Sequence, residues 1–439
     1  MSASAQSLSS GSRAIPHLRW WIGGLLFAST VINYIDRQTL ALLSPYLKQE
    51  YHWTYTDYAH VLISFRVAYT IGQAVCGRLI DRVGTRRGLS LSVLWYSIVS
   101  IATSLARGFY SFAAFRFLLG AGESANWPGA TKAVSEWFPK RERALAAALF
   151  DSGSSIGGAV APFIVLPIYF RWGWRPAFVI PGLLGFVWLF VWRRAYHKPA
   201  EHPCIAPAER EMILAETSVA SAASPRTRWI GLLKLPQTWG TIASKALTDP
   251  VWFFITDWFP FYLVAKGISP KAVLFTFWIP FIGADLGNFF GGVASGYLIK
   301  RGWPLGAARK AMVVFGGFGV MLLIPTIFTV NLAAIATLFG LATFCYAAFS
   351  TIANVLPADL FTGGAVASVS GLSGTGAGIG TIIAFELIGY FSDTSRALPA
   401  HAFDMIVLVA GLVPFVGMIF VLSLVRNTRA TEQGLVRPI

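Results

Sequence analysis

Long apolar runs alternate along the chain with short charged or Gly/Pro-rich breaks. A helix that crosses a bilayer needs about 20 mostly apolar residues. Splitting the sequence at its breaks predicts twelve such spans, near 20–46, 58–78, 88–107, 109–131, 143–169, 174–192, 238–265, 271–299, 309–330, 332–356, 364–391 and 403–425. The stretch between the sixth and seventh is polar, with Pro199, Pro203, Pro207 and Pro225, and reads as a central linker. The expected organisation is a tail at 1–19, a bundle at 20–192, a linker at 193–237, a second bundle at 238–425 and a tail at 426–439. The first apolar run carries Asp36 and Arg37 and lacks a small-residue cleavage site, so a retained span is expected, not a signal peptide.

A half-chain repeat lies inside this pattern. Gly77-Arg78-Leu79-Ile80-Asp81-Arg82-Val83-Gly84-Thr85-Arg86-Arg87 closes the second span. Gly296-Tyr297-Leu298-Ile299-Lys300-Arg301-Gly302 closes the eighth, with Arg309 and Lys310 beyond it. Parallel six-span halves around a linker place a substrate site at their interface, near the bilayer midplane. The predicted fold is an all-α membrane protein of two pseudo-symmetric six-helix bundles.

Composition removes the competing classes. Of 439 residues 55% are hydrophobic and only 13% charged, too little polar surface for a soluble enzyme, a disordered chain or a secreted disulfide scaffold. Cys76, Cys204 and Cys345 are isolated, with neither metal-ligand nor framework spacing. The net charge of +15 is not a nucleic-acid footprint, because no basic cluster is interleaved with surface aromatics. It follows topology instead. With the termini inside, 24 Lys and Arg fall on the inner side and seven on the outer, the distribution of a cytoplasmic inner face.

The Gly-x-Leu-x-Asp-Arg-x-Gly-x-Arg-Arg loop resembles the signature of the major facilitator superfamily. That resemblance implies a cytoplasmic gate in which Asp81 holds arginines and a helix N-terminus in the outward-open state, with Arg82, Gly84 and Arg86 completing the loop. Asn33-Tyr34-Ile35-Asp36-Arg37, Arg116-x6-Glu123, Trp137-Phe138-Pro139 and Glu142-Arg143-Ala144 resemble the anion:cation symporter family, which includes bacterial sugar-acid transporters. Thr248-Asp249-Pro250-Val251-Trp252 and Leu356-Pro357-Ala358-Asp359 are most similar to its hexuronate branch. A bacterial inner membrane is the implied location. The sequence departs from the family at Ser154, where galactonate-type members carry Gln, and at Arg66 and Asp257, extra charges that suit an altered ligand such as a dicarboxylate.

Charges inside a bilayer are costly unless paired or facing a wet cavity, so each is a candidate site. At about 1.5 Å per residue, Asp36 and Arg37 lie ~15 and ~14 Å from the outer end of span one, and Arg116 and Glu123 ~10 and ~21 Å down span four. Seven residues is nearly two turns, so Arg116 and Glu123 share a face. Arg66 lies at a similar level on span two, above Tyr69, Thr70 and Gln73. Arg37, Arg66 and Arg116 against Asp36 and Glu123 leave one positive charge over, which makes an anion site. An Arg fork binds a carboxylate through two parallel hydrogen bonds. Arg37 is therefore expected on the substrate carboxylate, with Tyr34 and Tyr69 on its hydroxyls and Arg66 and Gln73 beside them. A carboxyl whose Arg partner moves can load and release a proton, so Glu123 and Asp36 are the expected proton sites and Arg116 their switching counter-ion.

The second half offers Trp252, Asn354, Ser370, Ser373 and Thr375 as polyol contacts. Asp285 is open to either a site or a structural role, Asp257 and Glu386 sit near outer span ends, and Lys245 reads as snorkelling to the inner surface. The glycine run from Gly371 has no preceding strand and no Lys, so it reads as a helix-packing face. The expected function is proton-coupled uptake of a sugar-acid anion, a hexuronate such as galacturonate or glucuronate, by a monomer that uses the proton gradient and no cofactor. An aldonate or aldarate symporter, a drug-efflux antiporter and a non-transporting membrane sensor are the alternatives.

Overall fold

A computed structural model describes residues 14–53, 55–217, 229–268, 279–361, 364–394 and 403–426. The first half comprises α1 (Leu18–Tyr51), α2 (Tyr55–Val83), α3 (Thr85–Thr103), α4 (Phe109–Glu123), α5 (Asn126–Trp137), α6 (Arg143–Trp172) and α7 (Trp174–Ala195). Two short helices follow, α8 (Pro207–Thr217) and α9 (Trp229–Leu233). The second half comprises α10 (Pro236–Ala246), α11 (Asp249–Ala265), α12 (Ile279–Lys300), α13 (Leu305–Gly319) with a 3₁₀ continuation (Val320–Phe328), α14 (Leu332–Leu360), α15 (Val366–Thr394) and α16 (Asp404–Leu424). Among the described residues six helical stretches are long and apolar enough to cross a membrane: Arg143–Trp172, Trp174–Ala195, Leu305–Phe328, Leu332–Leu360, Val366–Ala384 and Asp404–Leu424. The chain ends at 1–13 and 427–439, and the first residues of the expected eighth span, lie outside the described residues.

Two expected spans are not continuous helices. The fourth breaks between Glu123 and Asn126 and then runs on to Trp137; the seventh breaks between Ala246 and Asp249. Proline is the cause in both: Pro128 and Pro250 have no N–H to return to the carbonyl four residues back. Broken helices are tolerated at membrane depth where they line a cavity or pack inside protein, and here charged residues flank both breaks. The stretch expected to be a plain linker carries a helix that docks. Glu209 of α8 accepts from the backbone N–H groups of Leu18 (3.0 Å) and Arg19 (3.2 Å), capping α1 with a carboxylate at its positive end. The face carrying this linker, the start of α1 and the end of α16 is called the linker face below.

Packing follows small residues, as lipid gives helices no hydrophobic reason to associate. On α2, Ile63, Val67, Ile71 and Val75 recur every four residues and are exposed, the stripe a hydrocarbon surround accepts. The opposite stripe packs. A side chain at Gly77 would meet the carbonyl of Ala367 at 2.2 Å, and one at its repeat equivalent Gly296 would meet the carbonyl of Arg141 at 2.9 Å. Each half thus lays the end of its second helix against the other half. Gly371, Gly374 and Gly378 of α15 close on Gln73 and Thr70 in the same manner, so the glycine run is a packing face.

The buried cores show how the halves meet. On the linker face one continuous cluster joins Ile22, Trp137 and Ala144 of the first half to Phe349, Leu356, Val366 and Val425 of the second. Toward the opposite face the described cores are separate: Leu40, Leu47, Phe112 and Phe178 in the first half, Phe254, Tyr262, Phe339 and Val407 in the second. The described residues are sealed together on the linker face.

Candidate functional site

Arg37 and Glu123, from α1 and α4, meet in the first half. Arg37 Nε donates to Glu123 Oε2 at 2.5 Å, and Glu123 is wholly buried. The guanidinium stacks within an aromatic cage, 5.0 Å from the Tyr34 ring centroid, 5.1 Å from Phe65 and 4.6 Å from Tyr69. Cation–π contact holds the group without consuming its N–H donors. Arg37 Nη2 has no hydrogen-bond partner among the described residues. Asp36, one residue away, points the other way round α1, where Ser100 of α3 donates to it at 3.0 Å. Arg116 lies 6.0 Å from the Phe178 ring and within electrostatic reach of both Asp36 and Glu123. The arginine and carboxylate pairs expected from spans one and four are therefore brought together.

The remaining first-half residues divide. Arg66 crosses the gap between halves, its guanidinium 4.3 Å over the Phe253 ring of α11. Gln73 is buried in the α2–α15 seam, where a side chain on Gly374 would sit 1.5 Å from its amide oxygen. Ser370 and Ser373 occupy seams too, Ser370 donating to Thr131 (3.2 Å) and Ser373 to the Thr241 carbonyl (2.8 Å). Thr375 donates to the Thr70 carbonyl at 2.8 Å. Ser154 donates to the Asp151 carbonyl of its own helix. The side chains of Asp257 and Glu386 lie outside the described residues.

A second polar network stands across from Arg37, and the sequence did not reveal it. Lys245 of α10 does not reach for the surface: Nζ donates to Asn354 Oδ1 at 2.8 Å and lies 3.3 Å from Asp249. Lys245 and Asp249, four residues apart on either side of the break between α10 and α11, remain neighbours on one face. Asn354 Nδ2 reaches Asp151 of α6 at 3.5 Å, and the Asn288 amide, oriented to donate, reaches the same carboxylate at 3.2 Å. Trp252 stacks parallel to Tyr346 at 6.2 Å beside it. Asp151 was overlooked because it sits in a Gly/Ser-rich helix whose small residues signal packing; the available signal was its charge in the middle of an apolar run.

The linker face is closed by two further sets of charges. Asp81 accepts from Lys132 Nζ (2.9 Å) and from the backbone N–H groups of Ser368 (2.7 Å) and Ala367 (3.3 Å) at the start of α15. The helix N-terminus is held as the motif implies, but the cation described on Asp81 is a lysine from α5 instead of arginines. Gly84 (φ 87°) turns the chain into α3, a left-handed conformation that glycine adopts freely. Arg86 donates to the Arg193 carbonyl at the end of α7, while Arg82 is exposed. The second set is wholly buried: Asp359 of α14 accepts from Arg143 (3.0 Å) and from Arg309 (2.8 Å), and Arg309 also donates to the Lys140 carbonyl (2.8 Å) across the seam. Arg143, Arg309 and Asp359 were visible in the sequence only as pieces of three separate motifs.

Comparison with known proteins matches this architecture. The Major Facilitator Superfamily model covers residues 26–385. A hexuronate transporter of Escherichia coli (strain K12) is 30% identical over 428 residues, 96% of this chain and 97% of that protein. A probable galactarate/D-glucarate transporter of the same strain, GarP, is 28% identical over 443 residues, 95% and 96% of the two chains. The solved structure of the proton:xylose symporter XylE bound to 6-bromo-6-deoxy-D-glucose superposes with a TM-score of 0.71 at 14% identity, over 93% of this chain and 96% of that one, a likeness of fold.

Proposed function

From membership of the Major Facilitator Superfamily, to which the chain belongs as a multi-pass membrane transporter and not an enzyme, we propose that it imports a sugar-acid anion, a hexuronate, together with protons. The observation that carries this reading is the Arg37–Glu123 pair at 2.5 Å in its aromatic cage, with one face of the guanidinium unspent. A substrate carboxylate and the Glu123 carboxylate compete for the same fork. Protonation of Glu123 removes its charge and frees Arg37 for a bidentate grip on the substrate. Asp36, with Arg116 between it and Glu123, supplies a second place for a proton.

With the linker face sealed, the opposite face is the side from which substrate enters. The basic residues outside the spans support a cytoplasmic linker face, with loading from outside, in a bacterial inner membrane with both termini cytoplasmic. Opening then requires release of Asp81 and Asp359 from their partners, with the proton gradient as driving force, no cofactor, and a monomer as the working unit. The names of the relatives support the substrate class: hexuronate for one, galactarate and D-glucarate for another.

The test is uptake by the purified protein in proteoliposomes. Arg37→Lys keeps the charge and loses the fork, and is expected to lower galacturonate uptake at least a hundredfold while the protein still folds. Glu123→Gln is expected to abolish accumulation driven by a proton gradient while galacturonate counterflow continues. Uptake indifferent to collapse of the gradient, or to Glu123→Gln, overturns the coupling.

A further inference from the structure

The Lys245–Asn354–Asp151 network belongs to neither the Arg37 pair nor the linker-face closure, and its composition is unlike both. It draws on five helices from both halves: Asp151 (α6), Lys245 (α10), Asp249 (α11), Asn288 (α12) and Asn354 (α14). Asp151 lies within electrostatic reach of Lys245, Asp249 and Asp285, one ammonium among three carboxylates. Lys245 has already committed itself to Asn354 and Asp249, with its side chain only 14% exposed. The pole therefore has surplus acid even if one of its carboxyls is protonated. The Arg37 pole has no such surplus: Arg37 and Arg116 stand against Asp36 and Glu123.

Two tyrosines couple the poles electrostatically. Tyr34, whose ring packs on Arg37, is within electrostatic reach of Asp151 as well as Arg37 and Arg66. Tyr346, stacked on Trp252, is within reach of Asp249, Asp151 and Tyr34. Tyr69, nine-tenths buried beside Arg37, has a hydroxyl whose only near partner among the described residues is the Arg37 guanidinium, and Arg37 Nη2 has no acceptor among them. Those two donors are the ones left for an anion at the Arg37 end.

Resting on the sugar-acid reading above, we infer that the Asp151 pole reads the polyol end of the substrate and excludes a second carboxylate, restricting the cargo to monocarboxylate sugar acids. Carboxylates accept hydrogen bonds and donate none, whereas sugar hydroxyls donate. A hexuronate with its carboxylate on Arg37 presents only hydroxyls and ring oxygen to Asp151, Asp249 and the two asparagines. An aldarate with one carboxylate on Arg37 must bring the other among like charges in a partly desolvated site, where repulsion is strong. The extra cation Arg66 crosses the gap to lie over the Phe253 ring of α11, while the charges that act on Asp151 are those of Lys245, Asp249 and Asp285.

The test is counterflow with the full-length protein in proteoliposomes loaded with labelled galacturonate, using external galacturonate and glucarate as competing exchangers. The wild type is expected to exchange glucarate at least tenfold less effectively than galacturonate. Asp151→Asn, and independently Asp249→Asn, are each expected to narrow that ratio about tenfold, chiefly through better glucarate exchange; the second variant decides if the first does not fold. A wild type that exchanges both acids equally overturns the inference while leaving the sugar-acid reading intact. So does an unmoved ratio in a variant that still exchanges galacturonate. A wild type that exchanges none of these acids refutes the sugar-acid reading itself, and the inference with it.

Discussion

The closure at Asp359 and the pair at Arg37 are assembled from the same parts, arginine on carboxylate inside a helical bundle, yet they are finished differently. Asp359 spends one oxygen on Arg143 and the other on Arg309. The two arginines use their remaining donors on the carbonyls of Phe138, Ala358, Ser135 and Lys140 and on the Ser295 hydroxyl. Nothing is left for a ligand to take. Arg37 and Glu123 share one hydrogen bond, Arg37 Nη2 has no acceptor among the described residues, and Glu123 Oε1 has only the neighbouring Asn33 amide, without a well-formed bond. A buried ion pair is weak evidence of stability by itself; how completely its hydrogen-bonding capacity is used separates a closure from a site.

Breaking the saturated member should cost most. Asp359→Ala leaves Arg143 and Arg309, 0% and 2% exposed at their side chains, without the carboxylate that compensates them. Uncompensated buried charge costs about 3–5 kcal/mol. The expected outcome is a lower unfolding midpoint in detergent and faster backbone hydrogen exchange in 349–361, measured by mass spectrometry. Asp359→Asn should lie between it and wild type, keeping an acceptor and losing the charge. An unchanged exchange profile in both variants would show that the sealed linker face rests on helix packing alone, and the contrast with Arg37 would lose its meaning.

A smaller effect is expected at Asp81, a buried carboxylate that compensates one lysine instead of two arginines and holds α15 by its end. Hydrogen bonds to charged groups are worth roughly 1.5–3 kcal/mol, and Asp81→Asn keeps part of that. Faster exchange should be confined to residues 366–370, with transport slowed and not lost. Lys132→Ala tests the lysine separately: it removes the cation but leaves the backbone donors of Ala367 and Ser368 in place, so its effect on 366–370 should be the lesser of the two.

The unequal legibility of these regions has a physical origin. Apolar run length is a local property, so the spans and the half-chain repeat could be read directly. The mid-membrane arginines were legible because a charge in hydrocarbon is rare. What escaped were features made by bringing distant segments together. Asp359 gains its role only when Arg143, 216 residues away, arrives beside it. Lys245 reads as a snorkelling residue from its place near a span end, but the helix break after Ala246 keeps it on Asp249 and Asn354. Gln73, Ser370 and Ser373 have the right chemistry for polyol contacts, but the glycines opposite Gln73 bring α15 against α2, and Ser370 and Ser373 are spent on α5 and α10.

The smallest expected effect concerns the linker, which closes the same face without crossing it. His202 is 5% exposed, against the Trp137 ring edge at 5.6 Å and near His197. Its Nδ1 accepts from the Cys204 N–H at 3.1 Å, and Nε2 lies 2.9 Å from the Ala195 carbonyl and so carries the proton. A second proton on Nδ1 would meet a donor. Burial pushes the His202 pKa below its ordinary value of 6.5, with the Ala195 carbonyl opposing and His197 and Arg210 adding to the fall. The unfolded or undocked chain therefore binds the proton more readily. The contribution of His202 is complete above its ordinary pKa and is lost as pH falls from there toward the folded value. Acidification from neutral pH should loosen the linker, seen as faster hydrogen exchange in 202–213, while 349–361 stays protected by Asp359. His202→Phe removes the titration but also the two hydrogen bonds, so it should exchange faster at neutral pH and show a flatter dependence on acid. Loss of protection at 349–361 in step with 202–213 would mean that the docked linker, and not the buried arginines, governs the closure of this face.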